Sequence, residues 1–582
     1  MGQITEKKFK KDKMKKLIEL KKFFKIYKLD GYLVPKNDEY FNEYVSSANE
    51  RLKFISNFSG SAGFALILKN RNYLFVDGRY TVQARIQSAK NFKIITIPQK
   101  FPKDVLKTHK KIIIGFDPKL HNEKQLNFLF NIKNIVLKPI NKNLIDIIWS
   151  KKPKDLIRPF FSLSKKNVGQ SANEKNIKIK NILLKNKANY LLVTAPENIA
   201  WILNIRGYDS AFSPIPNARI LINSKGALNF FSQPKKLIKI KKIFYKKVKF
   251  TNENKIEEKL KSLSKNNIWI DSLSCSIHYK NLLKKKNRLI EKMDPIYFLK
   301  SIKNHTEIKN MKKSHMVDGV ALTKFLFWLK KNFKKKKITE ISAQKKLEYF
   351  RKMNKTYKFP SFSTISGSGP NSAIIHYKAS IKSNRTLRRG DLYLVDSGGQ
   401  YSFGTTDVTR TISLDNNSDL IKKIYTRVLK GHIAVSDYKF KKNSKGSDID
   451  RSARKSLKKV KLDYPHGTGH GVGYFLNVHE GPQSLSKKNK VSLKPGMIIS
   501  NEPGYYKEGH FGIRIENLIY IKKNKFEELT MAPIEKNMIK KKMLNKKEIN
   551  WLNKYHAKVR KNLFKFMNFE EKANLIDACS PV

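Results

Sequence analysis

Four carboxylates and one imidazole stand out in the last third of this 582-residue chain. They belong to Asp396, Asp407, His470, Glu502 and Glu516. If these side chains converge in the fold, their negative charge cannot be buried together without cations, because an unpaired buried charge is costly. Two divalent metal ions would neutralise it, and two cations stabilise hydroxide, so a water that bridges them loses a proton readily. The five residues therefore predict a two-metal hydrolytic centre.

Each of the five candidate ligands lies in a distinctive short segment. In chain order the segments are Leu-Val-Asp-Ser-Gly-Gly (394–399), Thr-Thr-Asp-Val-Thr-Arg (405–410), His-Gly-Thr-Gly-His-Gly (466–471), Asn-Glu-Pro-Gly-Tyr (501–505) and Gly-Ile-Arg-Ile-Glu-Asn (512–517). A single Asp most often caps a turn, but that explanation does not account for all five in this order. His466, His470 and His479 also crowd one glycine-rich stretch, which is typical of an active site.

The elements that must position the two aspartates are a predicted pair of strands. Residues 391–397 and 405–412 have the composition of antiparallel strands joined by a glycine-containing turn. Such a hairpin would bring Asp396 close to Asp407. Gly398, Gly399 and Gly404 would let the backbone turn sharply or approach the metals.

The rest of the chain divides into three segments by its pattern of apolar residues, and helices that alternate with short apolar strands predict an α/β fold class. The first two segments are separated near 151–154, and the third follows Asp294-Pro295. The predicted elements are helices at 14–27, 196–203 and 305–333, and strands at 64–68, 73–76, 112–115, 190–194 and 268–271.

The formal net charge of +74 raises nucleic acid as a partner. However, the basic residues are 103 lysines and only 18 arginines, spread along the whole chain. A nucleic-acid site concentrates arginine and aromatic side chains on one face. We therefore predict no specific nucleic-acid partner, and only loose, salt-labile binding to polyanions.

Several patterns indicate a reducing, cytoplasmic setting. No apolar run approaches the roughly 18 residues of a membrane-spanning helix, so no membrane partner is predicted. The first residues are basic and lack the apolar stretch of a signal peptide. Cys275 and Cys579 are the only cysteines and are far apart in sequence, which predicts neither a disulfide framework nor a cysteine metal site.

The five segments resemble those of the "pita-bread" metallopeptidase family, which includes methionine aminopeptidase, prolidase, aminopeptidase P and the related creatinase. The similarity is strongest to the long, three-domain, cytosolic aminopeptidase P (Xaa-Pro aminopeptidase) type. It extends to 57–63, 77–80, 198–201 and 369–377. The resemblance implies two creatinase-like α/β domains at 1–155 and 156–296, followed by a pita-bread catalytic domain with a C-terminal extension at 297–582.

The same resemblance implies a role for each candidate ligand. Asp407 and Glu516 would bridge two metals, Asp396 would bind one of them, and His470 and Glu502 would bind the other. The family implies manganese, although Zn²⁺, Co²⁺ or Fe²⁺ could use the same ligands.

Five further residues match family positions around the substrate. His376 and His479 match histidines that contact the substrate and stabilise or shuttle protons at the tetrahedral intermediate. His466 matches a histidine that lines the proline site, and all three would be both catalytic and substrate-binding. Arg514 matches a motif arginine, counted here as catalytic, and Tyr506 resembles a tyrosine near the substrate.

The implied activity is hydrolysis of the bond between an N-terminal residue and a following proline, with peptides that carry proline in second position as substrates. A homodimer is implied by the family alone. Three alternatives remain: a prolidase, which would take only dipeptides; a creatinase-like hydrolase without metal, which would lack several of these carboxylates; and a non-enzymatic polyanion-binding protein, which would leave the five ligands unexplained.

Overall fold

A computed structural model describes residues 2–241, 248–441 and 443–582, with side chains from residue 14 onward. By its internal contacts the chain forms two compact units. The first comprises Met1–Leu163, Gln170–Ala211 and Ile215–Ile296, and the second comprises Ser164–Gly169, Phe212–Pro214 and Tyr297–Val582. The division into three domains at 155 and 296 stays a prediction.

The first unit contains two six-stranded sheets. In spatial order, the first sheet consists of Lys93–Ile97, Asn72–Asp77, Phe64–Leu68, Gly31–Pro35, Ile112–Phe116 and Ile135–Pro139. The second consists of Val248–Asn252, Leu228–Ser232, Arg219–Asn223, Tyr190–Val193, Asn267–Ile270 and Arg288–Glu291. A short pair of strands, Phe161–Ser162 and Ile205–Arg206, lies apart from both sheets.

The two sheets share one topology. From edge to edge, each is paired parallel, antiparallel, antiparallel, parallel and parallel. Because parallel neighbours need crossover connections, helices intervene, and the predicted α/β class is confirmed. The helices are Gly2–Ile26, Arg51–Ser56, Thr81–Ser88, Pro102–Leu106, Glu123–Phe130, Leu144–Ile148, Ala172–Lys185, Pro196–Leu203, Ile256–Lys261 and Ile277–Lys284.

The predicted helix at 14–27 is present within a longer helix, Gly2–Ile26. Its buried side chains Leu17, Leu20 and Phe24 recur at helical spacing and pack into a core of the first unit. The predicted helix Pro196–Leu203 is also confirmed; it starts with proline at its first position, where no backbone N–H is needed.

The second unit surrounds small antiparallel sheets with helices. Its helices are Lys165–Val168, His305–Asn332, Glu340–Lys352, Asp419–Ser436, Gly446–Lys458, Lys546–Leu563 and Phe569–Ala578, and Pro295–Ser301 contains the first residues of its main segment. The long helix that was predicted at 305–333 begins at a capping box, in which Asn304 and Glu307 satisfy each other's backbone N–H groups. Among the described residues, no helix is both long and apolar enough to cross a bilayer.

Four sheets of the second unit carry the candidate site. A three-stranded sheet has the order Tyr357–Pro360, Gly399–Tyr401 and Gly404–Thr405, and another has Ile365–Ser368, Leu392–Ser397 and Val408–Ser413. A five-stranded sheet has the order Glu480–Leu485, Gly469–Gly471, Ile498–Asn501, Asn517–Lys522 and Lys525–Glu528. The fourth is the hairpin Gly504–Lys507 and Phe511–Arg514.

The predicted strand at 405–412 was wrong as a single element. Gly404–Thr405 pairs in one sheet and Val408–Ser413 in another. Between them the backbone at Thr406 approaches Gly398 closely, since a Cβ on Gly398 would lie 1.9 Å from the carbonyl oxygen of Thr406. The predicted antiparallel pairing is nevertheless confirmed, because Ser397 lies opposite Val408 in the register. Asp407 thus lies just before a strand rather than within one.

A large apolar core supports the strand that ends at Arg514. Ile513 on that strand packs with Val428 of the helix Asp419–Ser436 and with Leu552 and Val559 of the helix Lys546–Leu563. All four are completely buried. Burial of such side chains contributes about 1.5–3 kcal/mol each, so the backbone next to the site is firmly held.

Candidate metal centre and active site

Asp396 and Asp407 are brought together by the two paired strands. Asp396 is the fifth residue of Leu392–Ser397 and lies opposite Thr409. Asp407 directly precedes the second strand of the pair. Both aspartates are buried.

His470 and Glu502 come from neighbouring parts of the five-stranded sheet. His470 is the middle residue of Gly469–Gly471, and Glu502 directly follows Ile498–Asn501. Ser500 connects them: its hydroxyl accepts a 2.9 Å hydrogen bond from the His470 N–H and donates a 3.0 Å bond to Glu502 Oε1. Gly469 permits this approach, since a Cβ there would lie 1.8 Å from the carbonyl oxygen of Ser500.

The structure brings together ligand atoms of three of the five candidate residues. One ligand atom each of Asp407, His470 and Glu516 lie within 4.8 Å of one another. His470 Nε2 lies 3.5 Å from Asp407 Oδ2 and 3.4 Å from Glu502 Oε1. Asp396 lies close enough that its negative charge helps to raise the pKa of both Asp407 and Glu516.

The electrostatics of this cluster favour a cation. Burial, followed by repulsion from Asp396 and Glu502, raises the pKa of Asp407 well above its ordinary value. Burial, followed by repulsion from Asp407, does the same to the pKa of Glu516. Carboxylates that repel one another in a buried site hold protons unless a positive charge replaces them.

The residues fit divalent metal ions by their unsatisfied atoms as well as by their type. Asp396 Oδ1 is buried and has no hydrogen-bond partner among the described residues. A buried carboxylate oxygen left unpaired is costly, and a metal ion would satisfy it. Carboxylates with one imidazole suit Mn²⁺, Zn²⁺, Co²⁺ or Fe²⁺.

Arg514 connects the candidate ligand Asp396 to Tyr506. Its guanidinium donates a 2.6 Å bond from Nη2 to Asp396 Oδ2 and another 2.6 Å bond from Nη1 to Tyr506 Oη. Arg514 is buried and Tyr506 is half-buried, and the loss of solvent around the Tyr506 hydroxyl raises its pKa. Tyr506 therefore keeps its hydroxyl hydrogen at neutral pH and can donate it.

His466 is the acceptor of that hydrogen in its neutral form. Its Nδ1 lies 2.7 Å from the carbonyl oxygen of Gly467, which can only accept, so Nδ1 carries the ring hydrogen. Nε2 then accepts from Tyr506 Oη at 2.9 Å. The structure thus places three of the predicted site residues, His466, Tyr506 and Arg514, in one hydrogen-bonded row that ends at Asp396.

The two remaining histidines lie next to different members of the site. The ring of His479 is perpendicular to that of His470, with 4.4 Å between ring centroids. His376 is half-buried in the turn that follows Gly369–Ala373, and the preceding carbonyl, of Ile375, accepts a 3.4 Å bond from Arg514 Nη2. His479 therefore contacts the candidate ligand His470 directly. His376 directly follows Ile375, the residue whose carbonyl binds Arg514.

Sequence reasoning missed the hydroxyl groups that orient the ligands. Thr409 Oγ1 donates a 2.6 Å bond to Glu516 Oε2 and accepts a 3.2 Å bond from Arg514 Nε. Thr409 lies in the strand Val408–Ser413 opposite Asp396, and its partners Glu516 and Arg514 are more than a hundred positions away. No local signal in the sequence identifies Thr409 or Ser500.

Comparison with known proteins agrees with this geometry. Residues 309–523 match the model of metallopeptidase family M24, and 523–582 match its C-terminal region. Residues 16–138 and 151–307 match two models of the creatinase/prolidase N-terminal domain.

Relatives of known name match over almost the whole chain. Xaa-Pro aminopeptidase 1 of Dictyostelium discoideum is 37% identical over 583 residues, which cover 94% of this chain and 92% of that protein. Aminopeptidase P1 of Lotus japonicus is 34% identical, covering 91% of this chain and 94% of that protein.

Solved structures extend the comparison to the fold. X-prolyl aminopeptidase from Caenorhabditis elegans, described as a cytosolic enzyme with a di-nuclear active site, superposes with a TM-score of 0.92 at 29% identity, over 98% of this chain and 100% of that one. Prolidase from Pyrococcus horikoshii gives a TM-score of 0.52 at 28% identity, over 62% of this chain and 99% of that one. The family resemblance drawn from the five sequence segments is confirmed, and the chain belongs to metallopeptidase family M24, in its Xaa-Pro aminopeptidase group.

Proposed function

We propose that this protein is a metalloaminopeptidase that hydrolyses the bond between an N-terminal residue and a following proline. The observation that carries the proposal is the convergence of Asp407, His470 and Glu516 in a buried cluster with Asp396 and Glu502 beside it. Its full-length similarity to Xaa-Pro aminopeptidases supports the same substrate class, peptides with proline in second position.

The five ligands divide between two metal ions in this proposal. Asp407 and Glu516 would bridge the pair, Asp396 would hold one ion, and His470 and Glu502 would hold the other. The metal pair, when bound, supplies an ionised water and polarises the scissile carbonyl. Manganese is the proposed metal; Zn²⁺, Co²⁺ and Fe²⁺ suit the same ligands.

The surrounding residues bind the peptide and manage its protons. His376 and His479 hold protons at the tetrahedral intermediate, and His466 and Tyr506 border the space for proline. Arg514 keeps Asp396 oriented through their 2.6 Å ion pair. His466 is proposed as both catalytic and substrate-binding, and its Nε2 accepts a hydrogen bond from the Tyr506 hydroxyl.

Three broader properties belong to the same proposal. The chain is divided into domains at 1–155, 156–296 and 297–582, which the matched domain models support. It works in the cytoplasm, as does the C. elegans relative that is described as cytosolic. It forms a homodimer, a property that rests on the family resemblance alone.

A prolidase is the second candidate, since the P. horikoshii prolidase shares the fold of part of the chain. That match covers 62% of this chain, whereas the C. elegans aminopeptidase covers 98%. Side-by-side kinetics on Xaa-Pro and Xaa-Pro-Yaa with added Mn²⁺ test the choice. We expect cleavage of the tripeptide with release of Pro-Yaa, strong loss when alanine replaces proline, and near-complete loss when the N-terminus is acetylated. A clear preference for the dipeptide would assign the chain to prolidase.

A polyanion-binding role does not account for the site. It would explain the charge of +74 but not five metal-ligand residues in one buried cluster. We expect duplex DNA to bind without sequence preference and to dissociate between low and physiological salt, because such binding rests on counterion release. Sequence-selective binding at about 150 mM salt would favour the polyanion role.

A further inference from the structure

Glu340 is a buried carboxylate that is not part of the metal cluster. It is the first residue of the helix Glu340–Lys352 and has no exposed surface. Its two oxygens accept hydrogen bonds from four neutral donors of a single segment, 368–385. The donors are Ser368 N at 2.8 Å, Asn371 Nδ2 at 3.0 and 3.1 Å, Tyr377 Oη at 2.8 Å and Arg385 N at 2.9 Å.

The segment that Glu340 holds contains His376. After Gly369–Ala373 it has no regular helix or strand up to Arg385, so its polar groups must be satisfied by other means. The backbone of Glu340 adds two further bonds, from its own N–H to Arg385 O at 3.0 Å and from Ser366 Oγ to its carbonyl at 2.8 Å. Tyr377, the direct neighbour of His376, has its hydroxyl 2.8 Å from Glu340 Oε2 and 2.8 Å from the Ser383 carbonyl oxygen, two acceptors for its single hydrogen.

The opposite side of the same turn is held by the strand Phe511–Arg514. The N–H of Gly512 donates a 2.7 Å bond to Ser372 Oγ, and Arg514 Nη2 donates to Ile375 O. Arg514 is itself bound to the candidate ligand Asp396. The turn with His376 is therefore held on one side by the Glu340 carboxylate and on the other by the strand Phe511–Arg514, whose Arg514 binds Asp396.

We propose that Glu340 is a positioning residue that sets the location of the His376 side chain relative to the metal centre. This inference rests on the proposed function of His376 in peptide hydrolysis. A carboxylate is suited to the task because it offers only acceptors, and four donors converge on it. In Glu340→Gln the new NH₂ group would face donors, and one or more of them would lose a partner and move away.

A double-mutant cycle tests whether Glu340 acts through His376. Glu340→Gln and Tyr377→Phe are each made in the parent protein and in His376→Ala, and kcat, KM and metal content are measured with Xaa-Pro-Yaa. We expect Glu340→Gln to lower kcat about 10-fold in the parent, since small displacements of a catalytic group are costly. In His376→Ala the same change should have less than about a 2-fold effect, with metal content unchanged throughout.

A spectroscopic measurement tests the positioning without relying on activity. In protein labelled at histidine Cε1 and loaded with diamagnetic Zn²⁺ in place of paramagnetic Mn²⁺, the resonance of His376 is assigned as the one missing in His376→Ala. We expect that resonance to shift in Glu340→Gln and in Tyr377→Phe, while the resonance of His479 stays in place. An unmoved His376 resonance in both variants would overturn the proposal even if the enzyme cleaved a different peptide class.

Asp38 provides the matched control. It is buried in the first unit and also accepts hydrogen bonds from neutral donors, Tyr40 N, Asn42 N and Asn42 Nδ2. Asp38→Asn should lower stability without moving the His376 resonance. Equal losses of kcat from Glu340→Gln with and without His376 would show a general structural role and refute the inference. If Glu340→Gln does not fold, Tyr377→Phe, which removes one of the four donors, answers the same question.

Discussion

Thr409 Oγ1 donates a 2.6 Å hydrogen bond to Glu516 Oε2. This bond joins the strand Val408–Ser413 to the residue that directly precedes the strand Asn517–Lys522, and it fixes one oxygen of a candidate bridging ligand. The same hydroxyl accepts from Arg514 Nε, so a single side chain orients two members of the site. Loss of a group that orients metal ligands in this way typically costs about 10- to 100-fold in metal affinity or activity.

Thr409→Val should therefore weaken metal binding while preserving side-chain volume. We expect the apparent dissociation constant for Mn²⁺ to rise about 10- to 100-fold, measured by calorimetry on metal-free protein. Thr426→Val is the matched control, because Thr426 is equally buried but its hydroxyl donates to Lys422 O within its own helix and accepts from Lys540 N, and neither is a candidate ligand. Equal Mn²⁺ affinity in Thr409→Val and the parent would contradict the orienting role of Thr409.

The sequence indicated the candidate ligands more completely than it indicated the hydrogen bonds that orient them. The five candidate ligands and three further histidines are chemically distinctive residues in recognisable segments, so their types alone suggested a metal site. The row from Asp396 through Arg514 and Tyr506 to His466 depends on contacts across up to 118 positions. No local pattern encodes such a distance.

The fold shows the same limit. Individual strands such as Phe64–Leu68 and the helix Pro196–Leu203 follow from local composition, and they match. The shared topology of the two six-stranded sheets could not be derived, because the order and direction of strands depend on long-range pairing. The strand predicted at 405–412 failed for a related reason: the close approach of Gly398 to Thr406 divides it.

Asp407→Asn should abolish turnover. The amide removes one negative charge from a proposed bridging position, so we expect at least one metal ion to be lost and the neighbouring carboxylates to remain uncompensated. Metal content and Xaa-Pro-Yaa cleavage are measured on the same preparation. Retention of two metal ions with full activity would exclude the assignment of Asp407 as a ligand.

His479→Ala and His376→Ala should separate chemistry from metal binding. Neither histidine is among the five candidate ligands, so each variant should keep its metal while kcat falls by about 10²-fold, the scale of a lost acid–base or oxyanion contact. His479 lies against His470, which makes it the stricter test. Loss of metal in either variant would show that the residue belongs to the ligand set.

His121 should make the first unit less stable in mild acid. Its side chain is buried, and neither ring nitrogen has a hydrogen-bond partner among the described residues. Burial lowers its pKa from 6.5 to about 3. Between these values the unfolded ring takes up a proton that the folded ring does not, so stability falls as the pH drops below about 6.5 and levels off below about 3.

The contribution of His121 can be isolated by substitution with an apolar residue. The linkage slope is about 1.4 kcal/mol per pH unit, so acidification from pH 7 to pH 5 should cost the parent roughly 2 kcal/mol through this side chain. His121→Leu should lack that component in urea unfolding followed at the two pH values, whereas His510→Gln, at an exposed position, should behave as the parent does. An identical pH dependence in His121→Leu and the parent would mean that the His121 ring gains its proton without unfolding.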